Sequence, residues 1–253
     1  MKVFLVVKIY SEEIVVRINE VNQKNQVKPV HIFDWFQHVK TTHSSKAGYP
    51  LTELISKNLT WVIARYRINI EKYPQWMDKI KISTWRVPER NNLVPREFII
   101  ENENNEIIIR ATSSLKLIDL NAKKIISPSK QFPLYPTYDK RAVKDDFPPL
   151  NEPDKTDYKK HFGIRRQDLD INGHVNNTLY IQWALETIPD KIFENYSVYE
   201  LEAAFLQEVF YNEKIVSIAQ ADKNMGFLHR VSEKTNDKTF ALLSTKWKES
   251  KYF

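Results

Sequence analysis

The chain has no cysteine and only four glycines among its 253 residues. Without cysteine it can form no disulfide, thiolate zinc site, iron–sulfur cluster or cysteine nucleophile. The glycines are Gly48, Gly163, Gly173 and Gly226, and no two of them lie closer than ten residues. This spacing excludes the G-x-G-x-x-G dinucleotide fingerprint, the phosphate-binding P-loop and the G-x-S-x-G elbow of serine hydrolases.

Long hydrophobic runs are also missing. The N-terminal segment is apolar only from Val3 to Val7, which is too short for a signal-peptide core or a membrane span. Because 42% of the residues are apolar, 12% aromatic and 28% charged, the composition is typical of a globular protein. We therefore expect a soluble, unprocessed cytoplasmic protein without stable membrane insertion.

The positive charge is concentrated in the first half of the chain. The formal net charge is +6, and residues 1–119 contain 18 Lys and Arg against 13 Asp and Glu. A basic excess suggests an acidic partner such as a nucleic acid, a membrane surface or an acidic protein. Ordinary solubility explains so small an excess equally well.

Prolines indicate how the chain is divided. Six of the twelve fall between Pro128 and Pro153, in a polar stretch typical of a connection between domains. We therefore predict an N-terminal domain over 1–127, a linker over 128–157 and a C-terminal domain over 158–253.

The same order of predicted elements occurs on both sides of this linker: one strand, one apolar helix, then a run of strands. Before the linker the predicted helix is Val30–Thr41, and the strands are Glu13–Ile18, Thr60–Ile70, Lys79–Trp85, Arg96–Glu101 and Ile107–Leu117. After it the predicted helix is Asn177–Ile188, and the strands are His161–Arg165, Glu200–Leu206, Lys214–Ala221, Phe227–Glu233 and Thr239–Lys248.

This repetition predicts the fold class. A shift of 148 residues aligns Arg17 with Arg165 and Trp35 with Trp183, although identities are few. A helix that is apolar nearly all round requires a sheet to cover it. We therefore predict an α+β tandem, or double, hotdog, in which each half is an antiparallel sheet wrapped around one central helix.

One polar segment, Arg166–Asn177, precedes the second helix and contains groups suited to catalysis. Asp170, Asn172 and His174 alternate along it and offer an acceptor, an amide and an imidazole. The N–H groups at the start of the helix, from Val175 and Asn176, are predicted to stabilise an oxyanion. From spacing alone, a helix-capping turn with a buried histidine is the better interpretation.

A family resemblance changes that balance. The string Asp168-Leu-Asp-Ile-Asn-Gly-His-Val-Asn-Asn-x-x-Tyr180-x-x-Trp183 resembles the signature of the plant and bacterial fatty-acyl-[acyl-carrier-protein] thioesterases, which are double hotdogs. Further similar stretches are Trp61–Trp85, Arg96-Glu97-Phe98 and Ala111–Asp119, so the likeness extends over nearly the whole chain.

The resemblance implies an enzyme that hydrolyses acyl-carrier-protein thioesters and releases free fatty acid, with no metal or organic cofactor. Asp170, Asn172 and His174 match the family's catalytic Asp, Asn and His, and Glu208 matches a further acidic residue. Val209 stands where plant members have cysteine, so only the carboxylate-and-water chemistry of the family is available.

The N-terminal half departs from this pattern. Positions 22, 24 and 26 are Asn, Lys and Gln where the second half has Asp, Asn and His, so only the second half is expected to be catalytic. The first half is then expected to form the acyl pocket, with Ile32, Trp35, Phe36 and Val39 of its helix. The acidic acyl carrier protein is the expected partner, docking on Lys79, Lys81, Arg86 and Arg90. No nucleic acid is expected, and a homodimer is left open.

Two mechanisms and two other functions stay open at this point. Glu208 or Asp170 activates water directly, or Asp170 attacks first and forms an anhydride that water, activated by Glu208, then opens. The alternative functions are a hotdog acyl-CoA thioesterase or hydratase, and a non-catalytic acyl-binding module.

Overall fold

The computed structural model of the protein describes residues 7–235 and 238–250. The chain divides into two compact units, with the boundary between Asp145 and Asp146. None of the helices in the described ranges is both long and apolar enough to cross a membrane.

Unit 1, the part of the chain up to Asp145, contains one long helix and one antiparallel sheet. Its elements are β1 Ile9–Val15, α1 Pro29–Lys46, α2 Leu51–Ser56, β2 Leu59–Ile70, β3 Lys79–Arg86, β4 Val94–Glu101, β5 Ile107–Asp119, β6 Lys124–Ile126 and α3 Pro128–Gln131. The strand order is β1-β3-β4-β5-β2, and β6 pairs with the C-terminal end of β5.

The core of unit 1 lies between α1 and this sheet. Pro29 occupies the first turn of α1, where a missing N–H costs nothing. Ile32, Phe36 and Val39 are buried along the helix, as its spacing predicts. Phe36 stacks on Phe98 of β4, with the ring centroids 4.4 Å apart.

The first strand of each half lies a few residues earlier than its sequence predicts. The predicted strand Glu13–Ile18 shares only its first three residues with β1, and the chain then makes a single 3-10 turn at residues 18–20. Glu20 explains the early end, because its Oε2 accepts a hydrogen bond from the backbone N–H of Arg17 at 2.7 Å. The acidic side chain of Glu20, three residues after Arg17, thus binds the backbone at the point where β1 has ended.

The predicted linker over 128–157 begins with residues that pack on unit 1. Phe132 and Tyr135 are buried in a cluster with Leu54 and Leu117. Farther along, the Trp85 indole donates to the backbone oxygen of Lys140 at 2.6 Å. Residues 128–145 therefore belong to the compact body of unit 1, although their proline content is typical of a connection.

Unit 2 repeats the arrangement. Its elements are β7 Tyr158–Phe162, α4 Asn177–Glu186, α5 Asp190–Asn195, β8 Tyr196–Phe205, β9 Ile215–Asp222, β10 Gly226–Glu233 and β11 Thr239–Glu249. The strand order is β7-β9-β10-β11-β8, which matches unit 1 strand for strand. Helix α4 packs on this sheet through Tyr180, Ile181 and Ala184, which are buried. Each unit is therefore a hotdog, and the predicted tandem is confirmed.

Candidate active site

The loop between β7 and α4 is held in one conformation by hydrogen bonds among its own residues. The Asp168 carboxylate accepts the N–H of Arg165 at 2.8 Å, and the Asp168 carbonyl accepts the N–H of Asn176 at 3.0 Å. The Asp170 N–H donates to the His174 carbonyl at 2.7 Å, which closes a tight turn. Gly173 takes a φ of +77° in that turn, a conformation that glycine adopts without a Cβ penalty.

Asp170 organises the tip of this loop. Its Oδ1 accepts the backbone N–H of Asn172 at 2.8 Å and that of His174 at 3.1 Å. Its Oδ2 lies 3.4 Å from Nδ2 of Asn172, whose side chain is otherwise exposed. One carboxylate oxygen is therefore engaged by the turn itself, which is a positioning contact.

His174 and Glu208 form the titratable pair of the site. Nδ1 of His174 lies 3.3 Å from Oε1 of Glu208, and the two side chains are 27% and 48% exposed. Phe210 meets the imidazole edge to face, with the ring centroids 5.0 Å apart. When Nδ1 carries the proton shared with Glu208, Nε2 is the nitrogen available to a substrate or a water.

Glu208 lies on an irregular segment that follows β8. The N–H groups of Leu206 and Gln207 both donate to the Phe240 carbonyl, at 2.8 and 3.2 Å. The Tyr180 hydroxyl of α4 donates to the Gln207 carbonyl at 3.3 Å, and burial raises the pKa of that phenol, which keeps it a neutral donor.

Tyr180 and Phe210 are two residues of the site to which sequence reasoning assigns no role. Tyr180 was visible as part of the family-like string, and Phe210 only as an aromatic two residues after Glu208. Val209, at the position of the plant cysteine, is fully buried, and its carbonyl accepts the Val175 N–H at 3.0 Å. Val209 therefore contributes to the site by packing in the core and by binding the Val175 N–H through its carbonyl.

The predicted oxyanion donors at Val175 and Asn176 need correction. The Val175 N–H donates to Val209 and the Asn176 N–H to Asp168, so both are already paired. Asn176 is instead the N-cap of α4, where its Oδ1 accepts the Thr178 N–H at 3.1 Å. Within the described ranges, the N–H of Asn177, the first residue of α4, forms no hydrogen bond.

Unit 1 contains a loop with the same backbone hydrogen bonds but without the side chains predicted to be catalytic. The Asn22 N–H donates to the Gln26 carbonyl at 2.8 Å, and Val27 N–H donates to the Pro74 carbonyl at 2.9 Å. These two bonds are equivalent to those in unit 2 from Asp170 to His174 and from Val175 to Val209. Gln26 and Tyr73 thus take the places of His174 and Glu208. That only the second half is catalytic stays a prediction.

The four residues predicted to dock the carrier protein differ in exposure. Lys79 and Arg90 are exposed, and Lys81 pairs with Glu101 at 3.0 Å. Arg86 is only 4% exposed, so its inclusion in a docking surface is wrong. It occupies the same strand face as Ile80 and Ile82, which face the core.

The residues predicted for the acyl pocket all lie on the buried side of α1. Ile32, Phe36 and Val39 are at most 1% exposed, and the Trp35 indole donates to Oε1 of Glu20 at 3.0 Å. Their role in chain-length selection stays a prediction. Within residues 7–235 and 238–250, no group of three or more His, Asp or Glu side chains is arranged to hold a metal ion.

Comparison with known proteins identifies the family. Residues 7–132 match the profile described as the acyl-ACP thioesterase N-terminal domain, and residues 151–249 match the C-terminal domain. The chain belongs to the acyl-ACP thioesterase family. Each matched range falls within one unit of the structure.

Relatives with named activities are distant in sequence. The chain is 29% identical over 194 residues to the acyl-[acyl-carrier-protein] hydrolase FATB2 of Cuphea viscosissima, covering 73% of this chain and 47% of that protein. It is 28% identical over 239 residues to the oleoyl-acyl carrier protein thioesterase 1 of Arabidopsis thaliana, covering 86% and 65%. The chain thus spans about half to two thirds of the length of these chloroplastic relatives.

Solved structures agree on the fold. The 12:0-ACP thioesterase from Umbellularia californica has a TM-score of 0.87 at 24% identity, covering 96% of this chain and 98% of that chain. An acyl-ACP thioesterase from Bacteroides thetaiotaomicron has a TM-score of 0.86 at 19% identity, covering 95% and 98%. At these identities the structural likeness establishes the double-hotdog fold.

Proposed function

We propose that the protein hydrolyses the thioester of fatty acyl-[acyl-carrier-protein] and releases the free fatty acid. The observation that supports this most directly is the pairing of His174 with Glu208 beside the start of α4. Hydrolysis of a thioester needs an oxygen nucleophile, a group that takes its proton and donors for the oxyanion. The family membership supports the same activity.

In the proposed mechanism, water is the nucleophile. Nε2 of His174 accepts a proton from the water as its oxygen bonds to the thioester carbon, while Glu208 holds the imidazole through Nδ1. The tetrahedral intermediate then breaks its carbon–sulfur bond, and the sulfur takes the proton back from His174. The products are the fatty acid and the free thiol of the carrier, so all atoms and protons balance.

Asp170 is proposed as a positioning residue. Its Oδ1 already accepts two backbone N–H groups, which stabilise the charge and oppose attack on a carbonyl by this oxygen. Because both carboxylate oxygens share the charge, these bonds also lower the nucleophilicity of Oδ2, and we favour water activation over an anhydride. The Asn177 N–H, at the positive end of the α4 dipole, is proposed as an oxyanion donor in place of Val175 and Asn176.

The proposed partner is acyl carrier protein as the substrate carrier, docking on the exposed Lys79 and Arg90. We infer a cytoplasmic location, since a chain without cysteine needs no oxidising compartment for disulfide formation. Fractionation of the cells that express the protein tests it. Light scattering of the purified chain decides between monomer and homodimer.

One assay with three substrates tests the activity. Release of free thiol is followed from saturated acyl-carrier-protein thioesters of several chain lengths and from the matching acyl-CoA. Hydration is followed in parallel with a trans-2-enoyl thioester. We expect the highest kcat/KM with the carrier-protein substrate. Faster hydrolysis of acyl-CoA, hydration of the enoyl substrate, or tight binding without turnover would each replace the proposal with one of its alternatives.

A further inference from the structure

A row of four buried polar residues crosses the sheet of unit 1. Arg86 on β3 lies opposite Arg96 on β4, Arg96 lies opposite Ser113 on β5, and Ser113 lies opposite Tyr66 on β2. Each of the four is at most 4% exposed. Two like charges placed directly opposite each other on neighbouring strands repel, so the row favours a negative charge nearby.

The two guanidinium groups border the same tyrosine. Nη1 of Arg96 donates to the Tyr135 hydroxyl at 3.2 Å, and the Arg86 guanidinium lies over the Tyr135 ring, 4.7 Å from its centroid. Nη2 of Arg96 also donates to Nδ1 of His43, on α1, at 2.7 Å. Arg86 and Arg96 therefore belong to one buried region between α1 and the sheet.

Several donors in this region have no acceptor. Within residues 7–235 and 238–250, nothing accepts a hydrogen bond from Nε of Arg96, from Nε and Nη1 of Arg86 or from the Tyr66 hydroxyl. No carboxylate in the same ranges forms a salt bridge with either arginine. Buried charges in proteins are normally paired, so this arrangement is costly unless a ligand completes it.

Glu89 is a carboxylate that interacts electrostatically with Arg86, but its oxygens accept hydrogen bonds from the Ser127 hydroxyl at 3.0 Å and the Ser129 N–H at 2.6 Å. Other neighbouring groups do not supply a negative charge to Arg96. His43 accepts from Arg96 through Nδ1 and donates to the Val7 carbonyl through Nε2, and burial lowers its pKa to about 4, so it is neutral. Burial and the charge of Arg96 lower the pKa of Lys40 to about 8. Glu97, next to Arg96, is held instead by Arg141 at 2.8 Å.

We propose that Arg86, Arg96 and Tyr66, named here the arginine cluster, bind the carboxylate group of a ligand. The number of donor atoms without an acceptor, four, matches the number of lone-pair positions on a carboxylate, which is about four. Guanidinium groups recognise this planar anion through paired hydrogen bonds. Two sources offer such a group: a fatty acid, including the product of the proposed reaction, or a small carboxylate metabolite.

Calorimetry on the full chain tests the proposal with matched probes. Octanoate, octanol, acetate and inorganic phosphate are titrated separately at constant ionic strength. We expect octanoate to bind, and octanol, which lacks the carboxylate, to bind at least tenfold more weakly. Acetate binding as tightly as octanoate would identify the small-carboxylate source. Preference for phosphate, or binding of no anion, would overturn the proposal.

Variants locate the binding. Arg86→Met and Arg96→Met remove one guanidinium each, and each should raise the octanoate Kd about tenfold or more, as for loss of a charge-assisted hydrogen bond. Arg110→Met makes the same charge change at the surface of unit 1 and should leave the Kd unchanged. Unchanged binding in Arg86→Met, the variant that breaks fewer native hydrogen bonds, would refute the cluster.

The arginine cluster and the catalytic site are separable experimentally. Octanoate titrated into His174→Ala should bind as in the parent protein, because the cluster lies wholly within unit 1. A parent protein without thioesterase activity that still binds octanoate through Arg86 would contradict the proposed function alone. Loss of octanoate binding in His174→Ala, with binding retained in Arg86→Met, would place the carboxylate in the catalytic site and overturn this inference alone.

Discussion

Asn22 and Asp170 make the same pair of hydrogen bonds in two loops that lie 148 residues apart in the chain. Oδ1 of Asn22 accepts the backbone N–H groups of Lys24 and Gln26 at 2.9 and 3.1 Å. Oδ1 of Asp170 accepts those of Asn172 and His174 at 2.8 and 3.1 Å. The loop conformation therefore requires an acceptor at this position but no negative charge.

This equivalence predicts the effect of Asp170→Asn. The amide keeps an Oδ1 acceptor, so the loop should fold and kcat should fall less than about tenfold, since water is the proposed nucleophile. Asp170→Ala removes both bonds and should lose most activity. The reverse change Asn22→Asp, in unit 1, should leave kcat unchanged. Steady-state kinetics decide: a loss beyond about a thousandfold in Asp170→Asn, with intact circular dichroism, would assign Asp170 as the nucleophile.

His174→Ala and Glu208→Gln should each lower kcat about 10²- to 10⁴-fold, because each removes part of the acid–base pair. Gln26→Ala is the matched control, because Gln26 takes the place of His174 in the unit 1 loop. Thiol release measured at saturating substrate gives kcat for all three. Near-normal kcat in His174→Ala, with a verified fold, would refute the mechanism.

Docking of the carrier protein should depend on exposed basic residues. Lys79→Glu and Arg90→Glu should raise KM for the acyl-carrier-protein substrate severalfold at low salt, with kcat nearly unchanged, because steering charges act on association. Added salt should reduce the difference, since exposed charges are screened over about 8–10 Å at ordinary ionic strength. Unchanged KM in both variants would exclude this surface.

Chain-length preference should respond to α1. Val39→Leu adds volume on the buried side of that helix, where extra methylene groups displace neighbours, and should shift the optimum to shorter acyl chains. Ala184→Val, which also adds volume on the buried side of a helix, is the control in unit 2. Each added methylene alters selectivity by only about 1–3 kcal/mol, so the shift should be gradual. Profiles of kcat/KM across chain lengths test this, and a shift in Ala184→Val alone would contradict it.

His229 should make the protein less stable in acid. Burial lowers its pKa to about 3, and its Nε2 lies 2.9 Å from the Thr245 hydroxyl. The unfolded chain therefore binds the proton at pH values where the folded chain does not. The contribution of His229 to the free energy of unfolding is therefore complete above about pH 6.5 and falls by about 1.4 kcal/mol per pH unit as the pH drops toward 3.

Urea denaturation between pH 7 and pH 4 measures this dependence. His229→Gln keeps a polar group near Thr245 and removes the titration, so the slope of unfolding free energy against pH should decrease. His161→Gln, at an exposed histidine on β7, is the control and should keep the parent slope. Equal slopes in His229→Gln and the parent would exclude His229 as the cause.

Local sequence patterns predict most of the elements because hydrophobic spacing and turn residues act over short distances. Pro29 and the apolar spacing through Val39 predict α1, and the repeated element order predicts two hotdogs. The sequence also contains a local signal for the early ends of the two strands. Glu20 and Asp168 stand three residues after Arg17 and Arg165, and each accepts that residue's N–H.

The candidate site was only partly predictable. The family resemblance identifies the four candidate residues, Asp170, Asn172, His174 and Glu208. It does not give the hydrogen-bond partners of each one. Nothing in the sequence shows that the Asp170 carboxylate is held by its own turn, or that the Val175 N–H is paired with Val209. Whether a backbone N–H is free or paired depends on which distant segment of the chain packs against it.

By itself, the sequence determined the absence of thiol chemistry, the two-part organisation and the residue types available to the site, because these depend on composition and local order. Only the tertiary structure decided that His174 meets Glu208 and that Arg86 is buried opposite Arg96. These relationships join residues on different elements, whose register and packing are fixed by the folded sheet as a whole.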